Sequence, residues 1–325
     1  MEALRAAATA VRRARRIVIA SHINPDGDTL GSSLALTHAL RAMGKAVLPL
    51  CSDGVPDIYR WMPGQEWVQR STDRRDFDLG IVCDTGSLDR TGAARPAVES
   101  AAETLCLDHH VTEGQCGDVR LVDARAAATG ELTYALLREL RAPLTRAIAD
   151  CLMCALVTDT GSFRFMNVTP YTFRISGVLM RYGACPAAIS ELVFENRSLA
   201  SAKLLGRALD SLRLSECGRV AWAHVTARDF AELDATDEET EGIVNHVRSI
   251  RGANVGLFFR EVPGRQVRVS LRARAGFDVS RIAQQFGGGG HQLAAGCSLP
   301  PPLAEAEPAV VAAVLASLPP APGRH

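Results

Sequence analysis

The sequence lacks an excess of charge, because 36 lysines and arginines balance 36 aspartates and glutamates. Binding to long duplex nucleic acid needs an extended cationic surface, so this balance argues against such a partner. It is compatible with a local basic pocket for a short or small phosphate ligand. The 47% hydrophobic and 22% charged residues are ordinary for a globular protein.

Long apolar runs are also missing. No uninterrupted apolar stretch reaches the roughly 20 residues of a membrane-spanning helix, which predicts a chain without a membrane segment. The N-terminus does not resemble a secretory signal, because the basic stretch VRRARR (11–16) follows the apolar alanines instead of preceding them. We interpret this arginine cluster as the solvated face of a first helix.

The cysteines do not form the pattern of a disulfide framework, since nine are scattered irregularly over 325 residues. The C-x-x-C pair, Cys151 and Cys154, has no second pair at zinc-ligand spacing and no proline or glycine between its cysteines. We therefore interpret both as buried helix residues. This usage predicts a reducing, cytoplasmic location.

Short apolar runs alternate with helical patterns through the first half of the chain. Continuously apolar strands between helices predict a mostly parallel sheet covered by helices, which is an α/β fold. The predicted strands are 16–23, 45–52, 77–87 and 103–110, and the predicted helices are 31–44, 129–140 and 144–163.

The pattern changes after residue 212, and the length is sufficient for two domains with separate cores. Three segments alternate polar and apolar residues as strands do, and the VPG turn (262–264) predicts a hairpin. We expect a smaller second α/β domain, with the active site in the cleft between the two domains. Its predicted strands are 219–230, 254–262 and 266–274, with a helix near 237–250. The predicted domains are 1–195 and 206–320, joined by a helical linker, 196–205.

Polar residues gather where the predicted strands of the first domain end. The carboxyl edge of a parallel sheet is where ligands bind, so this placement favours a site over isolated helix caps. The residues expected at this edge are His22, Asp26, Asp28, Asp84, Asp108, His109, His110 and, from the end of a helical run, Asp159.

Imidazoles and carboxylates without thiolates suit manganese, and also magnesium or iron, better than structural zinc. So many acids at one edge would repel one another unless cations were bound. Two metal ions bridged by a shared carboxylate would relieve this repulsion and position a nucleophilic hydroxide.

Each motif also has a structural interpretation. NPDGD (24–28) is a favourable turn sequence, and Asp84 and Asp159 could each cap a helix. Adjacent histidines behind a buried strand, as in LDHH (107–110), have little packing rationale. Together, the four stretches SHINPDGD, VCDTGS, LDHH and VTDTGSF favour the metal site.

These four motifs, in this order, resemble those of the DHH phosphoesterase superfamily. GGGGHQLAAG (287–296) is similar to the signature of the associated DHHA1 domain: a glycine run, a histidine, two variable residues and Ala-Ala-Gly. The resemblance covers essentially the whole chain. Within the superfamily it is greatest to bacterial bifunctional oligoribonucleases that also act as pAp (3′-phosphoadenosine 5′-phosphate) phosphatases.

The resemblance implies two divalent metal ions, with manganese expected and magnesium or another divalent cation as the alternative. Asp84 would bridge the two ions. His110 would stabilise the transition state or the leaving group, and Asp108 would orient the histidines. The implied ligands are His22, Asp26 and Asp84 for one ion, and Asp28, Asp84, His109 and Asp159 for the other.

Consecutive glycines let backbone N–H groups approach an anion, so we predict that Gly288, Gly289 and Gly290 form a phosphate loop with His291 as a donor. The alternative is a flexible linker. Arg272 aligns with the strand arginine that contacts substrate in the family, and its planar fork suits a terminal phosphate or the face of a base. Arg274 points to the same side and is a second candidate.

The resemblance implies a hydrolase that cleaves oligoribonucleotides of about two to five nucleotides and converts pAp to AMP, using water activated by two metals. Short RNA or pAp are the expected partners, and family members are often homodimers. A cyclic di-AMP or linear pApA phosphodiesterase is the first alternative. A manganese inorganic pyrophosphatase is disfavoured by the GGGGHQLAAG segment. From a different class, a nucleotide-binding sensor would retain the fold without turnover.

Overall fold

A computed structural model of the protein describes residues 2–110, 116–262, 264 and 266–319. The chain divides into two compact units, residues 1–196 and 197–325. The predicted linker, 196–205, overlaps a helix, α8 (Leu199–Asp210), that packs within the second unit. The described part of the chain contains no helix that is long and apolar enough to cross a membrane.

The first unit is built on a five-stranded sheet in which every pairing is parallel. Helices pack on both sides of it, which confirms the predicted α/β fold. Its strands are β1 (Arg16–Ala20), β2 (Ala46–Leu50), β3 (Leu79–Cys83), β4 (Glu103–Asp108) and β5 (Val119–Val122). Its helices are α1 (Glu2–Arg13), α2 (Gly27–Ala42), α3 (Arg95–Glu99), α4 (Thr129–Glu139), α5 (Arg146–Asp159), α6 (Pro170–Arg181) and α7 (Pro186–Ser190).

The strand order is β2-β1-β3-β4-β5, so the chain leaves β1 in one direction across the sheet and later returns on its other side. This reversal between β1 and β3 opens a crevice at their carboxyl ends, where open parallel sheets bind ligands. The edge strand β5 was not predicted, because its sequence VRLV is only four residues long and too short for a strand period to show.

The start of α2 differs from the prediction. The helix begins at Gly27 instead of residue 31, because the Asp26 side chain accepts hydrogen bonds from the backbone N–H groups of Asp28 and Thr29, each at 3.0 Å. NPDGD therefore ends in a helix N-cap and is more than a turn. The cap places Asp26 and Asp28 directly behind β1.

Helices α2 and α5 pack at the separation that two glycines allow. A Cβ on Gly27 would lie 2.4 Å from Thr158 Cγ2, and one on Gly31 would lie 2.4 Å from the carbonyl oxygen of Cys151. These contacts run in opposite directions along the two helices, so the end of α5 lies beside the start of α2. Cys151 and Cys154 are buried in α5, as predicted.

The second unit has a mixed six-stranded sheet of order β10-β11-β9-β8-β7-β6, with a core on each face, which confirms the predicted second α/β domain. Its strands are β6 (Arg213–Leu214), β7 (Val220–Val225), β8 (Val255–Glu261), β9 (Val267–Ala273), β10 (Gly289–His291) and β11 (Ala294–Leu299). Besides α8 its helices are α9 (Ala227–Leu233), α10 (Ile243–Arg248), α11 (Ser280–Gln285) and α12 (Leu303–Ser317).

Strands β8 and β9 pair antiparallel, which confirms the predicted hairpin, although Pro263 and Arg265 of its turn lie outside the described residues. The predicted strand 219–230 is wrong beyond residue 225. There Thr226 and Asp229 form a reciprocal capping box that starts α9. The predicted helix at 237–250 is interrupted, because Gly242 adopts a left-handed conformation with φ of 79°.

We predict that Gly31→Ala lowers the free energy of unfolding by about 1–3 kcal/mol, because the added methyl group overpacks the contact between α2 and α5. Urea denaturation of the purified protein measures the change. The matched control is Gly177→Ala on α6, where a Cβ would meet no atom of the described residues within 4 Å. Better helix propensity should make that variant more stable by roughly 0.5–1 kcal/mol. Equal effects of the two substitutions would contradict the packing argument.

Candidate active site

The predicted residues of the first unit meet at the carboxyl ends of β1, β3 and β4. Three groups of side chains place their ligand atoms within 4.8 Å of one another. Asp84 belongs to two of the groups and His109 to two. The groups are His22, Asp26 and Asp84; Asp28, His109 and Asp159; and Asp84, His109 and His110.

Asp84 lies between the groups, and each of its two carboxylate oxygens faces different histidines. Its Oδ2 lies 3.3 Å from His22 Nε2, whereas its Oδ1 lies 3.6 Å from both His109 Nε2 and His110 Nδ1. The residue follows β3 directly and has a left-handed backbone with φ of 64°, which aspartate tolerates better than most residues. One buried carboxylate therefore has the geometry of a bridge.

The charge of Asp84 is held by its neighbours. Burial alone would raise the pKa of its carboxyl group, but a hydrogen bond from His22 and the charges of His110, His22 and His109 lower it to about 2. The Thr129 hydroxyl also donates to Oδ1 at 2.9 Å. Asp84 is consequently ionised across the physiological pH range.

His22 is oriented by its own backbone neighbour. Its Nδ1 lies 2.8 Å from the carbonyl oxygen of Ile23 and must carry the proton, so Nε2 faces Asp26 and Asp84. Burial lowers the pKa of His22, but the hydrogen bond with Asp84 and the charges of both carboxylates raise it overall. The pocket therefore favours a positive charge at Nε2, whether a proton or a metal ion.

Asp28 is fully buried at the N-terminus of helix α4. Its Oδ2 accepts from the Thr129 N–H at 2.7 Å, and its Oδ1 accepts from the Gly130 N–H at 2.9 Å. These are two of the N–H groups that a helix leaves without an internal partner, and they suit an anion. Even so, burial and the charges of Asp84, Asp159 and Asp26 hold the pKa of Asp28 well above its usual range.

His109 joins Asp28 to Asp159. Its Nδ1 lies 3.2 Å from the carbonyl oxygen of Ala126, so Nε2 points at the acids. Nε2 lies 3.2 Å from Asp159 Oδ2 and 3.7 Å from Asp28 Oδ2. Asp159 is the last residue of α5, so the close packing of α2 and α5 delivers it to this position.

His110 faces Asp108 instead. Its Nδ1 lies 2.6 Å from Asp108 Oδ1, which also accepts the backbone N–H of His110 at 3.2 Å. Burial lowers the pKa of His110, but the hydrogen bond with Asp108 and the charges of nearby carboxylates raise it to about 9. Through this hydrogen bond, the buried Asp108 orients His110 and favours its protonated form.

The donor set fits divalent cations. Three histidines and four carboxylates converge, and no cysteine is part of any of the three groups found among the described residues. His22 and His109 direct Nε2 at the acids, and His110 directs Nδ1. Oxygen and imidazole ligands suit manganese or magnesium. Burial is the main reason that the pKa values of Asp28 and Asp159 are raised, and the charges of neighbouring carboxylates, which cations would neutralise, raise them further.

The predicted phosphate-binding residues of the second unit lie on β9 and at β10, which are separated in the sheet by β11. Arg272 on β9 is paired with Gly256 on one side and Ala294 on the other, and its guanidinium donates to the carbonyl oxygen of Leu271 at 3.1 Å. Burial lowers the pKa of Arg272, and among the described residues no carboxylate lies within ion-pair distance of it. Arg274 instead donates to the carbonyl oxygen of Ala253.

Within the predicted phosphate loop, residues 289–291 form β10 and pair with β11. Close backbone packing explains the glycines: a Cβ on Gly288 would lie 2.2 Å from Gly296 O, and one on Gly290 would lie 2.6 Å from Ala294 O. No described atom lies within 4 Å of the Cβ position of Gly289. The side chain of His291 lies outside the described part of the chain. The substrate role of these residues stays a prediction.

Sequence reasoning missed the residues that support the acids. Thr129 and Gly130 bind Asp84 and Asp28, and Ser32 donates to Asp28 Oδ1 at 3.3 Å. The usable signal was TGEL at the start of a predicted helix, because helix N-terminal N–H groups are free to bind a carboxylate.

The chain is similar to known proteins over most of its length. Residues 16–156 match the DHH family, N-terminal domain, and residues 218–318 match the DHHA1 domain. The bifunctional oligoribonuclease and PAP phosphatase NrnA of Thermus thermophilus is 32% identical over 284 residues, which cover 87% of this chain and 84% of that protein. The chain belongs to the DHH family.

Two further similarities agree with the assignment to the DHH family. NrnA of Bacillus subtilis, which has the same descriptive name, is 29% identical over 87% of this chain and 89% of that protein. The crystal structure of an exopolyphosphatase-related protein from Bacteroides fragilis matches with a TM-score of 0.91 at 26% identity, covering 97% of this chain and 96% of that chain. The DHH protein is therefore a phosphoesterase, and the predicted DHH and DHHA1 domains are confirmed.

We predict that Thr129→Val weakens Mn²⁺ binding by roughly 10-fold, because Asp84 loses a donor that orients it. Isothermal titration measures the affinity. Thr133→Val is the matched control, since Thr133 lies one turn further along α4, is equally buried and has a hydroxyl with no hydrogen-bond partner among the described residues. A similar loss in both variants would show that the effect is not specific to the bond with Asp84.

We also predict that Mn²⁺ raises the melting temperature of this DHH protein, because bound cations relieve the repulsion among the buried carboxylates. At a free concentration about 100 times the dissociation constant, the added stability is roughly 2.7 kcal/mol. Differential scanning calorimetry with a Mn²⁺ series and a chelated sample measures it. Asp84→Asn should show a smaller shift, and a full shift in that variant would contradict the bridging role.

Proposed function

We propose that this DHH protein hydrolyses oligoribonucleotides of about two to five nucleotides to mononucleotides, and pAp to AMP. The observation that carries the proposal is the division of the Asp84 oxygens between two adjacent ligand groups. This is the arrangement that two-metal phosphoester hydrolysis requires. The names of the Thermus and Bacillus relatives supply the substrate classes.

In this proposal, His22, Asp26 and Asp84 hold one divalent cation, and the second is held by Asp28, Asp84, His109 and Asp159. When bound, the cations supply Lewis acidity to the phosphate and a water molecule of lowered pKa. Manganese is the expected metal, with magnesium as the alternative. The chain contributes the fixed positions of the ligands: Ile23 and Ala126 orient the two imidazoles, and the N-terminus of α4 holds Asp28.

His110 is the proposed proton donor to the leaving oxygen or to a phosphate oxygen. Its bond to Asp108 fixes the ring and stabilises the imidazolium, as a general acid requires. In the second unit, Arg272 is the proposed contact for a terminal phosphate or a base, because its guanidinium is partly buried without a carboxylate partner among the described residues. Gly288, Gly289, Gly290 and His291 are the proposed remaining phosphate contacts.

A hydrolysis panel with Mn²⁺ tests the proposal. We expect rapid cleavage of a 5′-phosphorylated RNA dinucleotide and of pAp, slow cleavage of a long RNA, and little cleavage of cyclic di-AMP. Asp84→Asn should reduce the fast rates by at least about 100-fold, because the shared ligand charge is lost. Asp57→Asn, on an aspartate whose side chain is 84% exposed, serves as the control.

A preference for cyclic di-AMP would replace the proposed substrates while preserving the proposed metal site. Turnover of none of the four by wild-type protein would contradict the nucleotide proposal, and inorganic pyrophosphate would be the next substrate to assay. Binding of nucleotides without turnover would indicate a sensor.

A further inference from the structure

Arg90 lies in the 3₁₀ segment Leu88–Ala94 that follows β3 and Asp84. The loops after three strands fix its backbone. Its carbonyl oxygen accepts from the Ile23 N–H at 2.6 Å, directly after His22. The next carbonyl, of Thr91, accepts from the Ser52 hydroxyl at 2.6 Å, behind β2. The position of Arg90 at the crevice between β1 and β3 is therefore set by the fold.

The Arg90 side chain reaches the metal-ligand group. Its Nη2 lies 3.4 Å from His22 Nδ1, the nitrogen that donates to the Ile23 carbonyl oxygen. A guanidinium N–H cannot form a hydrogen bond with a nitrogen that already carries a proton. The contact places the guanidinium beside the imidazole but does not provide a hydrogen-bond acceptor for the guanidinium N–H. The residue as a whole is exposed, so its remaining N–H groups are accessible to a ligand.

Arg90 has no carboxylate within ion-pair distance among the residues that the structure describes. Its sequence neighbour Asp89 pairs with Arg95, which also binds Glu99 at 2.7 Å. The acids nearest to His22 face its other nitrogen, Nε2, and so lie across the ring from Arg90. Arg90 is thus an exposed cation held at the edge of an acidic site.

The balance of charge between the acidic site and its expected cations indicates a role for the Arg90 guanidinium. The four carboxylates of the ligand groups, Asp26, Asp28, Asp84 and Asp159, would be neutralised by two divalent ions. The negative charge of a phosphate ester would then be left to side chains around the ions. His110 is one such cation, and Arg90 is positioned on the opposite side of Asp84, next to His22. A guanidinium binds phosphate oxygens with directed, charge-assisted hydrogen bonds.

We propose that Arg90 is a phosphate-binding residue of this site. Its guanidinium donates hydrogen bonds to a non-bridging oxygen of the phosphate that is cleaved. This inference rests on the phosphoesterase function proposed above. Because the scissile phosphate is common to both substrate classes, Arg90 acts on the RNA dinucleotide and on pAp alike.

The test compares Arg90→Met and Arg90→Lys with wild-type protein, with Arg60→Met as the control. Arg60 is an exposed arginine of the same unit that pairs with Asp57. Three quantities are measured: kcat/KM for the dinucleotide and for pAp, the inhibition constant of AMP, and the Mn²⁺ dissociation constant from titration calorimetry. Circular dichroism and the melting temperature establish that each variant is folded.

We expect Arg90→Met to lower kcat/KM for both substrates by roughly 10- to 100-fold and to weaken AMP inhibition, with Mn²⁺ affinity unchanged. Arg90→Lys should recover part of the loss because it retains the charge. Wild-type kcat/KM in folded Arg90→Met would overturn the inference while leaving the proposed function intact. A parallel loss of Mn²⁺ affinity would also overturn it, since Arg90 would then act by positioning His22.

Failure of the proposed function gives a different result, namely no hydrolysis of either substrate by wild-type protein. In that case the Arg90 inference is tested by titrating inorganic phosphate into the Mn²⁺-loaded proteins. Tighter binding by wild type than by Arg90→Met would support it, and equal affinities would overturn it.

Discussion

The buried carboxylate of Asp84 is the constraint on which the site depends. An ionised carboxylate at 2% exposure is costly to bury, and here it is stabilised by three imidazoles and a threonine hydroxyl. Those partners come from the ends of β1 and β4 and from the start of α4. The arrangement of three elements around one side chain therefore decides which atoms can meet.

The first unit tolerates a cluster of acids that would oppose folding if it were isolated. Helix α4 directs two N–H groups at Asp28, and the glycines of α2 let α5 approach closely enough to deliver Asp159. The apolar contacts beneath the sheet's carboxyl edge hold these elements together against the repulsion. Such local conflict between stability and charge is typical of functional sites.

Much of the fold followed from local pattern. Four of the five parallel strands were predicted from apolar runs that end in polar residues, because buried parallel strands are continuously apolar. The predicted ends of strands and helices were wrong where a side chain forms a hydrogen bond with backbone N–H groups and so starts a helix. Asp26 starts α2 four residues early, and Thr226 with Asp229 ends β7 and starts α9. The edge strand β5 is only four residues long and too short for a strand period to show.

By itself, the sequence determined which residue types stand behind each strand, and hence the candidate ligands, because a strand's carboxyl end is readable from where its apolar run stops. Only the tertiary structure decided which Asp84 oxygen faces His22 and which faces His109, that Thr129 binds Asp84, and that Arg90 lies beside His22. These contacts join residues 25 to 68 positions apart. They depend on strand order and helix packing, which bring together segments whose local patterns contain no information about one another.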